Sequence, residues 1–262
     1  MNKAIQFGSL YINKVPQQPD GSVECHPGPS LDIGDTVSDK EIQWLCIDNK
    51  LIADKSICYG LTWKDLRTEG FIGGRPVQID GFSFICRIPT IRVKEGENDE
   101  RVRVAIPSAD PQDGDETGLL IERTNAGCVA PPDIQNIFWV KVLDRTGMKM
   151  RDSSWIDLEH QVRFFGNFRR KSSFSWVPVL EPISQVQIEE HVGEQMGFIM
   201  PGAVFNGRLI EVSTYDFIVH MRNETIASFY PTAKPWKGDW WQQIDDGLFA
   251  IDRTQLIHSK LA

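Results

Sequence analysis

The chain has 262 residues, 41% of them hydrophobic, and a formal net charge of −8. That length and apolar share suffice for one large domain or two small ones with real cores, and they exclude a disordered or fibrous chain. The acidic balance excludes nonspecific nucleic-acid binding, which rests on lysine and arginine neutralising phosphates.

In chain order, Ala4 to Val15 is predicted as an opening strand with Ile5, Phe7, Ser9 and Tyr11 on one face, followed by a Pro- and Gly-rich loop from Pro16 to Gly34. Gln43 to Ile47 and Leu51 to Lys55 are apolar-rich runs around Asp48-Asn49-Lys50, turn chemistry suited to a tight reversal. Thr62 then opens a helix: its hydroxyl suits the amide of Asp65, whose carboxylate suits the helix N-terminus. Trp63, Leu66 and Phe71 supply its apolar face and Gly70 a left-handed stop. Val77 and Ile79, the turn Asp80-Gly81, and Phe82, Phe84 and Cys86 predict a hairpin. Trp44, Leu66, Phe84 and Cys86 are the expected core of this block.

Strands are expected at Val102, Val104 and Ile106, at Leu119 to Arg123 and at Ile137 to Leu143, with an acidic loop from Ala109 to Gly118. Ser154, with Asp157 three residues on, reads as a helix start, and Trp155, Leu158, Val162 and Phe165 repeat at helical spacing up to Gly166. Beyond Pro182, segments near Gln185–Glu189, Ala203–Val212, Phe217–Arg222 and Glu224–Phe229 read as strands. Two regions follow: a core over residues 1–185, and a β-rich extension over 186–262, small enough to pack on that core or to be completed by another chain.

Two stretches resemble a known group. Trp44-Leu45-Cys46-Ile47-Asp48-Asn49, Trp63-Lys64-Asp65-Leu66, Gly74-Arg75-Pro76-Val77-Gln78-Ile79-Asp80-Gly81 and Trp176-Val177-Pro178-Val179-Leu180-Glu181 are similar to segments of uncharacterised, often prophage-associated proteins of Firmicutes. The resemblance covers roughly residues 42–90 and 172–182. It implies an α+β fold with a C-type-lectin-like mixed core, shared with phage receptor-binding proteins and formylglycine-generating enzymes. With it goes the expectation that the strand containing Val177, Val179 and Leu180, within the phrase from Trp176 to Glu181, lies centrally in the sheet that also contains the 82–88 strand. The enzymes of that group use redox cysteines or copper late in the fold, whereas the last cysteine here is Cys128, so their activity is not expected.

The cysteines at 25, 46, 58, 86 and 128 form no CxxC pair, and Cys46 and Cys86, inside apolar strand patterns, read as small buried hydrophobes. The N-terminus carries no charged-then-apolar signal segment, and no apolar run approaches the ~20 residues that span a bilayer. The expectation is a soluble protein of the host-cell cytoplasm, or one associated with a virion, that contacts neither membrane nor nucleic acid.

Candidate chemistry is sparse. Asp110, Asp113, Asp115 and Glu116 offer oxygens for calcium but lack EF-hand spacing, which favours a solvated loop. Cys25-His26 lacks the paired spacing of a zinc site, and Arg169-Arg170-Lys171 is too short to reverse the acidic balance. Gln18-Pro19-Asp20 copies a tripeptide of galactose-binding lectins but lies before the block rather than after it. No metal or cofactor is expected, and no serine-hydrolase, zinc-protease, Walker or dinucleotide-binding motif is found. One cluster stands out: Phe229-Tyr230-Pro231 leading into Pro235-Trp236-Lys237-Gly238-Asp239-Trp240-Trp241. Tyr230, Trp236, Asp239, Trp240 and Trp241 suit an interface anchor or a sugar-stacking platform, or alternatively a cap on the core of the extension. The expected function is therefore a noncatalytic, phage-type binding or structural protein that meets a protein or glycan partner and forms a homo-oligomer. The alternative is a small acidic inhibitor of a host defence complex.

Overall fold

The opening strand β1 (Ala4–Ile12) is broken by a bulge at Gly8, whose φ of 65° shifts the register between Phe7 and Ser9. Ser9 and Leu10 are both buried after it, so the strict alternation expected as far as Tyr11 ends at the bulge. The structure, a computed structural model, describes residues 4–19, 23–25, 28, 30–95, 103–107, 138–143, 154–157, 161–164, 173–183, 186–221 and 238–262. The expectations at Leu119–Arg123, the acidic loop 109–118, His26, Cys128, 169–171 and Glu224–Phe229 fall outside them. So do those at Tyr230 and Trp236.

β2 (Val15–Gln17) and β3 (Leu31–Gly34) both pair with β1, so the expected loop 16–34 is strand at either end. β4 (Glu41–Ile47) reverses into β5 (Lys50–Ala53) through Asp48 and Asn49, at φ 46° and 59°. Two consecutive left-handed residues make the primed turn that matches strand twist. β6 (Cys58–Thr62) leads into α1 (Trp63–Thr68). Thr62 Oγ1 accepts from the Asp65 amide at 3.2 Å, and Asp65 Oδ2 accepts from the Thr62 amide at 2.9 Å. This is the reciprocal cap the sequence predicts. Gly70, at φ 87°, follows the helix. β7 (Arg75–Ile79) turns through Asp80 and Gly81 into β8 (Phe82–Arg87). Trp44, Leu66, Phe84 and Cys86 are fully buried, as expected.

A second sheet gathers β9 (Thr90–Glu95), β10 (Arg103–Pro107), β11 (Phe138–Leu143), β12 (Ser154–Asp157), β13 (Gln161–Phe164) and β14 (Ser173–Trp176). Its order is β12-β13-β10-β9-β11-β14-β6. The helix expected from Ser154 is therefore overturned: 154–157 and 161–164 pair as antiparallel strands, with Trp155 opposite Arg163, and β12 also pairs with β11. Strand neighbours on both sides, and a run rich in Trp, Ile, Val and Phe, outweigh the helical spacing. Leu158 and Phe165 are outside the described residues.

The phrase 176–181 is likewise not one strand. β14 ends at Trp176, and β15 (Val179–Pro182) enters the first sheet, whose order is β2-β1-β4-β5-β15-β8-β7 with β3 on β1. Pro178, which has no amide to give to a ladder, stands at the change of sheet. Its carbonyl accepts from Ala53 at 3.1 Å, and that of Trp176 accepts from Ile57 at 2.9 Å. Val179 and Leu180 still lie centrally beside β8, where Arg87 Nη2 meets Glu181 Oε2 at 3.2 Å.

The chain divides into two compact units, one of residues 1–80 with 84–181 and one of 81–83 with 182–262. In the second, β16 (Gln195–Met200), β17 (Ala203–Val212), β18 (Asp216–His220), β19 (Trp241–Asp245), β20 (Leu248–Asp252) and β21 (His258–Leu261) form a six-stranded antiparallel sheet in the order β19-β20-β18-β17-β16-β21. β17 has the predicted limits. Residues 188–191 form a 3-10 turn where a strand was expected, and β16, β19, β20 and β21 were not anticipated. Phe198, Phe205, Phe217 and Phe249 line its core, with the Phe198 and Phe217 rings stacked at 5.1 Å.

Among the described residues, twenty-one strands stand against one α-helix of six residues. The fold is mostly β, and the expected α+β, C-type-lectin-like mixed core is overturned. The local hairpin–helix–hairpin signal is real, but a single two-turn helix between sheets does not make a mixed fold.

Candidate functional site

A cleft of the second unit lies where two 3-10 turns come together. Ile188–His191 forms one; it sends Ile188 into the core and leaves Glu189 outside. Arg253–Gln255 forms the other, capped by Asp252, whose Oδ1 accepts from the Thr254 amide at 2.9 Å and from its hydroxyl at 2.7 Å. Arg253 ties the turns together. Its guanidinium pairs with the Glu189 carboxylate and donates to the Ser213 carbonyl at 3.3 Å, while its amide donates to the Tyr215 carbonyl at 3.0 Å. Hydrogen bonding to its own backbone amide, and then the Arg253 guanidinium, hold the Glu189 carboxyl below the ordinary glutamate range.

Between the turns opens a cleft of about 340 Å³ lined by Val186, Gln187, Ile188, Glu189, Arg253 and Leu256. Its floor is continuous with the core, to which Ile188 and Leu256 belong and against which Val186 packs. Exposed side chains stand on segments next to the turns. Tyr215, next to Arg253 through the backbone bond above, is 79% exposed, and Val192, directly after the first turn, is 50% exposed. Ile210, 40% exposed, sits in the β17 bulge beside Val192, where Gly193 donates to the Leu209 carbonyl at 2.7 Å. Apolar Val186, Ile188 and Leu256 beside one ion pair and the polar Gln187 are ingredients of a recognition surface. No side chain lining the cleft is placed as a nucleophile beside a base.

The tryptophans predicted as site residues lie elsewhere in the same unit. Trp240 is almost wholly buried, its Nε1 donates to the Pro201 carbonyl at 2.9 Å, and its ring stacks on Phe205 at 6.4 Å. Trp241, equally buried, packs its ring 5.9 Å from Phe249. Its indole lies so close to the backbone of residue 238 that a Cβ there would fall 2.0 Å from Nε1, which explains the glycine. Asp239 is exposed at the bend before β19. Trp240 still serves the cleft indirectly: its carbonyl accepts from the Asp252 amide at 2.7 Å, and Asp252 caps the turn that carries Arg253.

Sequence reasoning missed Glu189, Arg253, Tyr215, Val192 and Ile210. The only signal was a tyrosine in the polar turn Ser213-Thr214-Tyr215-Asp216, where Ser213 Oγ accepts from the Tyr215 amide at 3.1 Å.

In the first unit, the carboxylates around the β7–β8 turn do structural work. Asp80 accepts from the Thr36 amide at 3.0 Å, and Asp35 accepts from the Asp80 amide at 2.6 Å. Among the described residues, no three His, Cys, Asp or Glu side chains converge as metal ligands, and no helix is long and apolar enough to cross a membrane. Comparison with known proteins finds no matching family model, no matching curated protein and no matching solved structure.

Proposed function

We propose that this chain is a noncatalytic binding or structural protein of the phage type, whose C-terminal unit presents a recognition surface to a protein partner or a host glycan. The observation that carries this reading is the cleft between the two 3-10 turns, together with the exposure of Tyr215, Val192 and Ile210 on segments next to those turns. Exposed aromatic and aliphatic side chains near a cleft supply the anchors that dominate association energy once a partner buries them. A second copy of the chain is the first partner to test, because closed homo-oligomers are the commonest assemblies. The phage association rests on the resemblance of residues 42–90 and 172–182, and with it the host-cell cytoplasm or the virion as the place of action.

The test is native mass measurement and a glycan array on the wild type and on Tyr215→Ala/Ile210→Asp. The expected result is an oligomer or a glycan hit at micromolar concentration, weakened at least tenfold in the double variant while its melting midpoint stays within a few degrees. A wild-type monomer that binds no glycan, or a folded variant that behaves as the wild type does, overturns the proposal.

The net charge of −8 supports a second reading, an acidic inhibitor occupying a basic site on a host defence complex. The two separate by salt: binding through opposed net charge weakens steeply as ionic strength rises, whereas binding through the exposed Tyr215, Val192 and Ile210 side chains does not.

A further inference from the structure

In the first unit, the thiols of Cys25 and Cys58 hydrogen-bond to each other. The backbone arranges this meeting. Tyr59 donates to the Val23 carbonyl at 3.0 Å and Cys25 donates to the Tyr59 carbonyl at 2.8 Å, so Glu24 and Tyr59 form a parallel bridge between the segment 23–25 and β6. Gly60 permits the approach: it has a φ of 85°, and a Cβ there would lie 2.9 Å from the Cys25 carbonyl oxygen. Glu24 and Tyr59 share the outer face, where the Tyr59 hydroxyl reaches the Glu24 carboxylate at 3.4 Å. The two cysteines are turned inward, 2% and 0% exposed.

The pair is chemically asymmetric. The hydrogen bond from Cys58 pushes the Cys25 thiol down, while giving that bond and being buried push the Cys58 thiol up. Cys25 is thus the sulfur that carries negative charge more readily, and Cys58 holds the proton. Cys86 has no such relation and is raised by burial.

We propose that Cys25 and Cys58 are a modification site, a dithiol that a peroxide converts into a reversible disulfide fastening the segment 23–25 to β6. The Cys25 sulfur attacks one peroxide oxygen, the O–O bond breaks, and a sulfenic acid and water form. The Cys58 sulfur then attacks the Cys25 sulfur, the S–O bond breaks, and the hydroxide leaves as water with the Cys58 proton. Two thiols and one peroxide give one disulfide and two waters, the sulfurs losing the two electrons that the peroxide gains. A small dithiol reverses the reaction by exchange.

The test treats the reduced full chain with hydrogen peroxide and maps the peptides without reduction. The expected product is a cross-linked Cys25–Cys58 peptide lacking two hydrogen atoms. Closing a loop of about 30 residues should raise the melting midpoint by about 5–10 °C, and dithiothreitol should undo the rise. Cys58→Ser should abolish the link and leave Cys25 at sulfenic or higher acids. Should that variant fail to fold, Cys46→Ser/Cys86→Ser, which keeps the pair, must still give the cross-link. Oxidation of the wild type that leaves both residues alkylatable, or that joins either to another cysteine, overturns the proposal.

Discussion

β8, most of it in the first unit, and β16, in the second, are strands of equal length, and they use their faces differently. β8 alternates: Phe82, Phe84 and Cys86 are buried, while Ser83, Ile85 and Arg87 are half-exposed. β16 does not, because every residue from Met196 to Met200 is buried. A strand covered on one face writes its burial into the sequence with a period of two. One covered on both faces reads as a plain apolar run, without a period that separates it from a helix or a loop.

The largest expected effect probes that contrast at one residue on each strand's second face. Ile199→Ala in β16 should cost about 2–5 kcal/mol, a full large-to-small core penalty. Ile85→Ala in β8 should cost about 1 kcal/mol, since part of that side chain already meets water. Equilibrium unfolding in urea measures both, and equal losses would erase the distinction.

A smaller effect concerns how closely the C-terminal sheet packs. A Cβ at Gly207 would fall 2.2 Å from Val219 Cγ1 and 3.0 Å from the His220 carbonyl oxygen. Gly207→Ala is expected to cost about 1–3 kcal/mol through overpacking. Gly73, with nothing within 4 Å of its would-be Cβ, serves as the control in the other unit. Gly73→Ala should be near neutral in the same unfolding assay.

The smallest effect depends on pH. His258 at the start of β21 is buried, its Nε2 lies 2.9 Å from the Ser83 carbonyl oxygen, and its ring is 5.6 Å from that of Phe82. Burial lowers its pKa from the usual histidine value, outweighing the opposite pull of the Ser83 carbonyl. Protonation therefore favours the unfolded chain. Its stabilising contribution is whole above the unfolded value of about 6.5 and is lost as pH falls from there through the folded value. Melting midpoints of the wild type and His258→Asn between pH 7.5 and 5 should converge toward the acid end. Parallel curves would remove His258 as the titrating group.

The same contrast explains what the sequence discloses. Turn pairs such as Asp48-Asn49 and Asp80-Gly81, and the Thr62–Asp65 cap, act within a few residues and sit beside alternating strands, so the block 41–88 is legible. Pro201-Gly202, with Gly202 at φ 87°, is as good a turn as any of these. It hides because β16 before it has no alternation. The hairpin at 154–164 depends on strand partners far away in the chain, and without them its spacing imitates a helix. The cleft is less legible still. Glu189, Arg253 and Tyr215 are ordinary residues until the fold joins three distant segments, whereas the tryptophans that draw attention by their density lie mostly inside.

The place of β15 bears on how the protein emerges from the ribosome. β15 lies between β5 and β8, and its Glu181 pairs with Arg87 across 94 positions of chain. Until that strand is synthesised, the two early hairpins each expose an unpaired apolar edge that only a much later segment covers. Nascent chains arrested before residue 179 should therefore bind holdase chaperones and aggregate on release, and chains released beyond residue 182 should not. Pro178, by turning the chain out of one sheet and into the other at that point, sets the moment at which the edges close.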